Sequence, residues 1–168
     1  LPDHVTSESS RLGDRKIKEI LQSIRVTAHY RGEEGKQRIL TAYLNHNFYG
    51  NNSYGVLAAA TSYFGVHNLN DLTLAQAATL AAIPQAPSTY DLVRNAIKNE
   101  DGRWEVQQDA AIYQRRNLVL ELLADDSTRR VLSGDRYTTQ DYLDAMNEPL
   151  IVEEQRASQW KAPHFVWY

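Results

Sequence analysis

Arg15, Lys16, Lys18 and Glu19 stand within five residues, RKIKE, and carry the spacing most suited to chemistry in this chain. On a helix, Glu19 lies one turn from both Arg15 (i−4) and Lys16 (i−3), within reach of either. A carboxylate among three cations keeps a lowered pKa and stays ionised at neutral pH. That makes Glu19 a poor general acid. It is better suited to hold a cation, orient a lysine or accept hydrogen bonds from a polar substrate. The surrounding cations suit a phosphate-bearing ligand, to which Lys and Arg supply charge and directed donors. The same residues also describe a plain solvated helix face, and pattern alone leaves both readings open. Other chemistries lack their signatures. The five His are scattered without an i, i+4 pair and there is no Cys, so no zinc spacing, disulfide or thiolate arises. No phosphate-cradling Gly-rich loop and no GxSxG nucleophile turn occurs.

The elements that must position these residues follow from periodicity. Ile17, Ile20, Leu21, Ile24 and Ala28 predict a helix over Asp14–Tyr30 with one buried stripe and Asp14 as N-cap. Arg15, Lys18, Gln22 and Arg25 line its wet side. The polar residues 1–13 read as a loop. Gly32 and Gly35 break the helix, and a second helix follows with Ile39, Leu40, Tyr43 and Leu44 as its stripe. So short a turn predicts that the two helices pack together. Asn45–Asn52 is a turn by composition, and Tyr54–Phe64 an alanine-rich helix. Thr73 and Gln76 form a capping-box pattern ahead of a helix that stops before Pro84. Ile83–Ser88 reads as an extended, proline-stiffened loop, either a connector or the wall of a site. Val93–Asn99 reads as a short helix, Asn99–Gly102 as a turn and Gln107–Ala124 as a long helix. Arg115 and Arg116 belong on a solvated or ion-paired face of that helix. Ser133–Asp135 turns the chain, Thr138–Met146 is helical, and Leu150–Val152 is a short extended piece. Strand patterns are scarce, so the class is all-α or nearly so.

A chain of 168 residues fits one domain with one good core. The net charge of −3 gives no support to a nucleic-acid partner. No apolar run approaches the ~20 residues of a membrane span; the longest apolar-rich stretch, Ala75–Ile83, reads as a buried helix.

A resemblance adds to this. Arg15–Glu19 resembles the RKxxE motif of the peptidoglycan glycosyltransferase domain of bifunctional penicillin-binding proteins and monofunctional transglycosylases. KQRILTAYLN at Lys36–Asn45 is similar to the KxxILxxYLN motif that follows it in that family. Phe48–Gly65 and Leu72–Asp91 resemble the next two stretches, and RRNLVL at Arg115–Leu120 matches the RxxxVL motif. Ala162–Tyr168 resembles the segment by which the domain leaves toward its linker. Five motifs in order, over roughly residues 12 to 125, are specific together although each alone is weak. The resemblance implies a lysozyme-like helical fold and a single, partial glycosyltransferase domain over 1–168. Residues 150–168 would be its exit segment, toward a linker or a fused transpeptidase domain. The implied reaction polymerises lipid-linked disaccharide-pentapeptide into glycan strands, with inversion and release of polyprenyl pyrophosphate. It implies a catalytic role for Glu19 and substrate contacts for Arg15, Lys16, Lys18, Asp91 and Arg115. The partners would be the lipid-linked precursor, the growing glycan strand and the membrane surface, at the extracytoplasmic face of a bacterial cell membrane, with an anchoring helix upstream of this chain. No cofactor is implied, and assistance by a divalent cation is left open.

The departures from the family are specific. The EDxxFxxHxG motif, which carries the glutamate that deprotonates the attacking hydroxyl, is not in these residues, nor is GGSTITQQ. The expectation is therefore a chain inactive by itself whose parent protein is a transferase. Tyr90-Asp91-Leu92 stands where the family tends to have Tyr-Asn-Pro, and Asn99–Asp109 looks like an insertion. Two other classes compete. A lytic, glycan-cleaving enzyme of lysozyme-like fold would need a Glu of raised pKa in an apolar pocket, the opposite of Glu19. A non-catalytic helical binding module would tolerate Glu19→Gln with no change but charge.

Overall fold

Helices supply most of the architecture in the computed structural model, which describes residues 3–125 and 136–153, with side chains from residue 15 onward. In chain order they are α1 (Asp3–His29), α2 (Gly32–His46), α3 (Val56–Phe64), α4 (Leu74–Ala82), α5 (Ala111–Ala124) and α6 (Thr139–Asn147). Three short strands, β1 (Ala96–Lys98), β2 (Trp104–Val106) and β3 (Ile151–Val152), form one antiparallel sheet in that order. The nearly all-α class holds. Among the described residues no helix is long and apolar enough to cross a membrane. The expected turn at Ser133–Asp135 and the exit segment beyond Glu153 lie outside the described residues.

The chain divides into two compact units, Leu1–Leu44 and Asn45–Tyr168. In the first, α1 begins eleven residues earlier than periodicity predicts, so Asp14 is inside the helix and caps nothing. Gly13 is the one glycine in that polar stretch, and a mid-helix glycine costs only about 1 kcal/mol, too little to stop the helix. The predicted buried stripe is a second correction. Ile17 is 57% exposed and Ile24 60%, and Ile20 and Leu21 are exposed as well. Ile39, Leu40 and Tyr43 of α2 are likewise exposed. The two helices meet only at their junction, where buried Gly35 sits so close to the Tyr30 backbone that a Cβ there would lie 2.4 Å from its carbonyl carbon. Helices that meet only at their ends leave their apolar sides uncovered.

The second unit holds the core. Tyr49, Ala59, Ala60, Tyr63, Leu80, Ile83, Leu92, Ile112 and Leu150 form its centre, with Val106 and Val152 entering from the sheet. The alanines of α3 and α4 let neighbouring backbones approach closely, and α4, α5 and α6 pack on one another around Ala75, Ala78, Leu120, Tyr142 and Ala145. The capping box expected at Thr73 and Gln76 is present, and the structure adds a second at Thr138 and Asp141. Thr73 accepts from Gln76 N and Gln76 Oε1 from Thr73 N; Thr138 and Asp141 do the same at α6. The Thr138 backbone N–H, bonded to the Asp141 carboxylate, holds its pKa below the ordinary value.

Three local expectations are corrected. Ile83–Gln85 is a 3₁₀ turn, because Pro84 supplies a φ suited to a helical first position and needs no donor there. Val93–Asn99 is not a helix: its end is β1, drawn into extended form by pairing Ala96 with Val106 and Lys98 with Trp104. Strand pairing across a hairpin overrides the weak local preference of so short a segment. The long helix starts at Ala111, since Gln107–Ala110 closes a turn instead.

Arg116 corrects the solvated-face reading. It is 0% exposed. Its Nη1 donates to Glu148 O (2.7 Å), Nη2 to Met146 O (2.5 Å) and Nε to Asn117 Oδ1 (2.9 Å). The guanidinium also lies 4.4 Å from the Tyr113 ring centre. Met146 and Glu148 end α6, where carbonyls lack helical partners and the helix dipole is negative, so the cation caps that helix from α5. Burial lowers its pKa from the ordinary value, opposed by Tyr113 and Glu148. We predict that Arg116→Met lowers the unfolding free energy by about 3–5 kcal/mol, since several charge-assisted bonds are lost and buried carbonyls are left unpaired. A loss under about 1 kcal/mol in urea unfolding would show that this latch is not structural.

Candidate functional site

In the first unit the RKIKE residues sit on continuous helix, so helical geometry alone fixes their spacing. Lys16 Nζ bonds Glu19 Oε2 at 2.9 Å, and Arg15 Nε lies 3.5 Å from Glu19 Oε1. The carboxylate therefore faces two cations rather than three, because Lys18, one residue before it, points from a different side of the helix and is not among its ion-pair partners. The Lys16 hydrogen bond, aided by the charges of Lys16 and Arg15, outweighs the opposing desolvation and holds the Glu19 pKa below its ordinary value. Glu19 is 48% exposed at its side chain, so the cluster is open to a ligand from solvent. An exposed pair of this kind contributes little to stability. Its chemical property is a fixed negative charge with two cations beside it, one of them a guanidinium able to meet a phosphate with paired N–H donors.

Asp91 belongs to the second unit and is buried. Its Oδ2 accepts from Asn51 N (3.1 Å), and its Oδ1 from Val93 N (3.0 Å) and Arg94 N (3.3 Å). Both oxygens are thus engaged by backbone, tying the Asn45–Asn52 turn to the loop that leads into β1. The turn needs that tie. Asn51 and Asn52 have positive φ, and at Gly50 (φ +80°) a Cβ would lie 2.7 Å from the Tyr63 hydroxyl. That hydroxyl donates to Tyr49 O at 2.8 Å, and burial, with the charge of Asp91, pushes its pKa well above the ordinary value. The geometry gives Asp91 a positioning part between these two loops.

Arg115, also of the second unit, is half-buried on α5, and its Nε is buried with no hydrogen-bond partner among the described residues. Such a donor is costly unless something else satisfies it. The buried partner next to it, Arg116, is the residue that sequence reasoning missed. Its signal was present: Ile112, Arg116 and Leu120 fall at i, i+4 and i+8, on the apolar side of α5. No cluster of three or more His, Asp or Glu able to hold a metal ion occurs among the described residues.

Comparison with known proteins gives these residues a setting. The model of the family described as Transglycosylase matches residues 3–124. The chain is 35% identical over 142 residues to penicillin-binding protein 1A of Aquifex aeolicus, covering 84% of this chain and 16% of that protein. It is 32% identical over 154 residues to penicillin-binding protein 1A/1B of Bacillus subtilis, covering 90% and 15%. Among solved structures, penicillin-binding protein 1A of Haemophilus influenzae matches with a TM-score of 0.50 and 34% identity, over 76% of this chain and 16% of that one. The chain thus spans about a sixth of the length of these relatives.

The ion cluster predicts a titration. Followed by NMR, the Glu19 carboxylate should titrate below the ordinary glutamate value, and Lys16→Ala should move it upward. Since the folded pKa is depressed, whatever the cluster adds to stability is present above the ordinary value and lost as pH falls through the folded one. A Glu19 that titrates well above the ordinary glutamate value, toward neutral pH, would remove the ionised-carboxylate reading.

Proposed function

The chain belongs to the transglycosylase family, and from that premise we propose that it is part of a peptidoglycan glycosyltransferase domain. In the proposed reaction the 4-hydroxyl of an incoming lipid-linked disaccharide attacks the anomeric carbon of the growing strand with inversion. The bond from that carbon to pyrophosphate breaks, and polyprenyl pyrophosphate leaves. The single observation that carries this reading is the exposed carboxylate of Glu19, kept ionised by Lys16 and Arg15 within the RKIKE motif. A leaving pyrophosphate needs charge stabilisation as its bond breaks. Arg15, Lys16 and Lys18 are proposed to supply it, with Glu19 orienting the two cations it holds. Arg115, with an unsatisfied buried Nε, is proposed as a further substrate contact, and Asp91 as the residue that fixes the loops around it.

An ionised Glu19 argues against the lytic alternative, whose acid must hold a proton near neutral pH. Glu19 is also a poor base for the acceptor hydroxyl. That base is proposed to be the family's other glutamate, that of the EDxxFxxHxG motif, which has no counterpart in these residues, so the chain alone is expected to be inactive. The parent protein is proposed to act at the extracytoplasmic membrane surface. The uncovered side of α1 supports this. Ile17, Ile20, Leu21 and Ile24 are exposed. By helical spacing Lys18 and Arg25 flank them on one side and Lys16 on the other, as in helices that lie in the lipid interface.

The deciding assay incubates the full natural protein with labelled lipid-linked disaccharide-pentapeptide and resolves the glycan ladder on a gel. Glu19→Gln should lower polymerisation by about a hundredfold or more. A ladder that survives the substitution would reduce Glu19 to an ion pair; no ladder from folded parent protein would favour the binding module. For the surface, the chain should sediment with vesicles containing anionic lipid, and Ile20→Ser with Ile24→Ser should weaken this about tenfold or more. Equal sedimentation of both forms would defeat the membrane reading of α1.

A further inference from the structure

The segment that looks like an insertion in the sequence has a structural consequence that the proposed reaction does not use. It forms the turn and second strand of the β1–β2 hairpin, of which Val106 alone lies fully in the core. The hairpin is nevertheless firmly held. Trp104 pairs with Lys98 on one side and with Val152 of β3 on the other. Asn99 closes the turn, its Oδ1 accepting from Arg103 N (2.9 Å) and its amide nitrogen donating to Glu105 (3.0 Å). Against it, β3 and the ends of α3 and α4 leave an open cleft of about 400 Å³, within the range of small-ligand sites.

We propose that this cleft binds saccharide, one or two N-acetylhexosamine units of a glycan strand. Its apolar lining is Trp104 and Ile151 with the largely buried Phe64 and Val152, so Trp104 is the aromatic face it offers, and its polar groups are Gln76, Arg103 and Glu153. Aromatic rings offer the flat apolar surface on which the C–H face of a pyranose rests, with a polar rim left for its hydroxyls. Amide, guanidinium and carboxylate are the three planar side-chain groups that meet adjacent hydroxyls or an acetamido group with paired donors or acceptors. Each is positioned by the fold. Gln76 is anchored through Oε1 in the α4 capping box, which leaves its amide N–H groups as donors. Among the described residues Arg103 forms an exposed pair with Asp101 (3.3 Å), which holds it weakly. Glu153 is fixed by its N–H to Tyr63 O (2.8 Å), and its carboxylate lies over Gly65, where a Cβ would come within 2.7 Å of Oε1. Gly65, at φ +67°, both ends α3 and leaves room for that carboxylate.

The choice of a glycan ligand rests on the transglycosylase reading; the cleft does not. The test titrates the chain with the tetramer of N-acetylglucosamine by calorimetry and, in parallel, with a free alanyl pentapeptide. We expect the tetramer to bind, and Arg103→Ala and Trp104→Leu each to weaken it about tenfold or more while the helical circular dichroism is kept. Arg103 is exposed, so its variant keeps the test valid should Trp104→Leu fail to fold. No binding of the tetramer, binding unchanged in both folded variants, or preference for the pentapeptide would each overturn the proposal. This readout is binding without turnover, so it stands apart from the ladder assay of Glu19→Gln, and either can fail alone.

Discussion

A single buried cation governs the arrangement of the second unit. Arg116 projects from α5 into the end of α6 and satisfies carbonyls that the helix itself cannot. Burying a guanidinium is expensive unless it is fully hydrogen-bonded, and here three nitrogens have acceptors while the Tyr113 ring covers the group. The cost and the compensation together specify one register of α5 against α6. Tyr113 extends the same joint, since its hydroxyl accepts from Leu150 N at 2.8 Å and so fixes the start of β3. With β3 placed, β2 pairs to it, and the hairpin and its cleft follow.

A second fixed point is the Asp91 carboxylate. It gathers three backbone N–H groups from two loops that are forty residues apart in sequence at their closest bonded pair. Tyr63 seals the same place from α3, donating to Tyr49 O. The consequence for chemistry is indirect: the aromatic turn Phe48–Tyr54 and the loop before β1 keep fixed positions although neither has regular structure of its own. An asparagine, which the family tends to carry here, would supply one acceptor oxygen in place of two. The carboxylate is the fuller solution to the three donors this chain presents.

The first unit shows the opposite economy. Its charged cluster is built by local helix geometry and needs no tertiary support, while its apolar stripe has no cover within the unit. Amphipathic helices derive most of their stability from burying such a stripe. The membrane surface proposed above would supply that cover, and the cations beside the stripe suit it. The arrangement also places Glu19, by helical spacing, away from the centre of the stripe, so an apolar contact on one side leaves the carboxylate open on another.

What the sequence determined by itself was local. The ion pairs of Glu19, the capping box at Thr73 and Gln76, the helical identity of most elements and the Asn-rich turn all arise from residues three or four apart, where chain geometry leaves few choices. The family motifs, being short and ordered, were legible for the same reason. Tertiary structure decided the rest. That Ile17 and Ile24 find no cover within their unit, that Arg116 is buried while Arg115 is only partly so, that Asp91 turns inward, and that Ala96–Lys98 is strand rather than helix are set by which other parts of the chain come to meet them. Periodicity states that a face is apolar or charged, but not which surface will meet it. The free energy of burial and of strand pairing is set by that meeting, and only the folded chain supplies it.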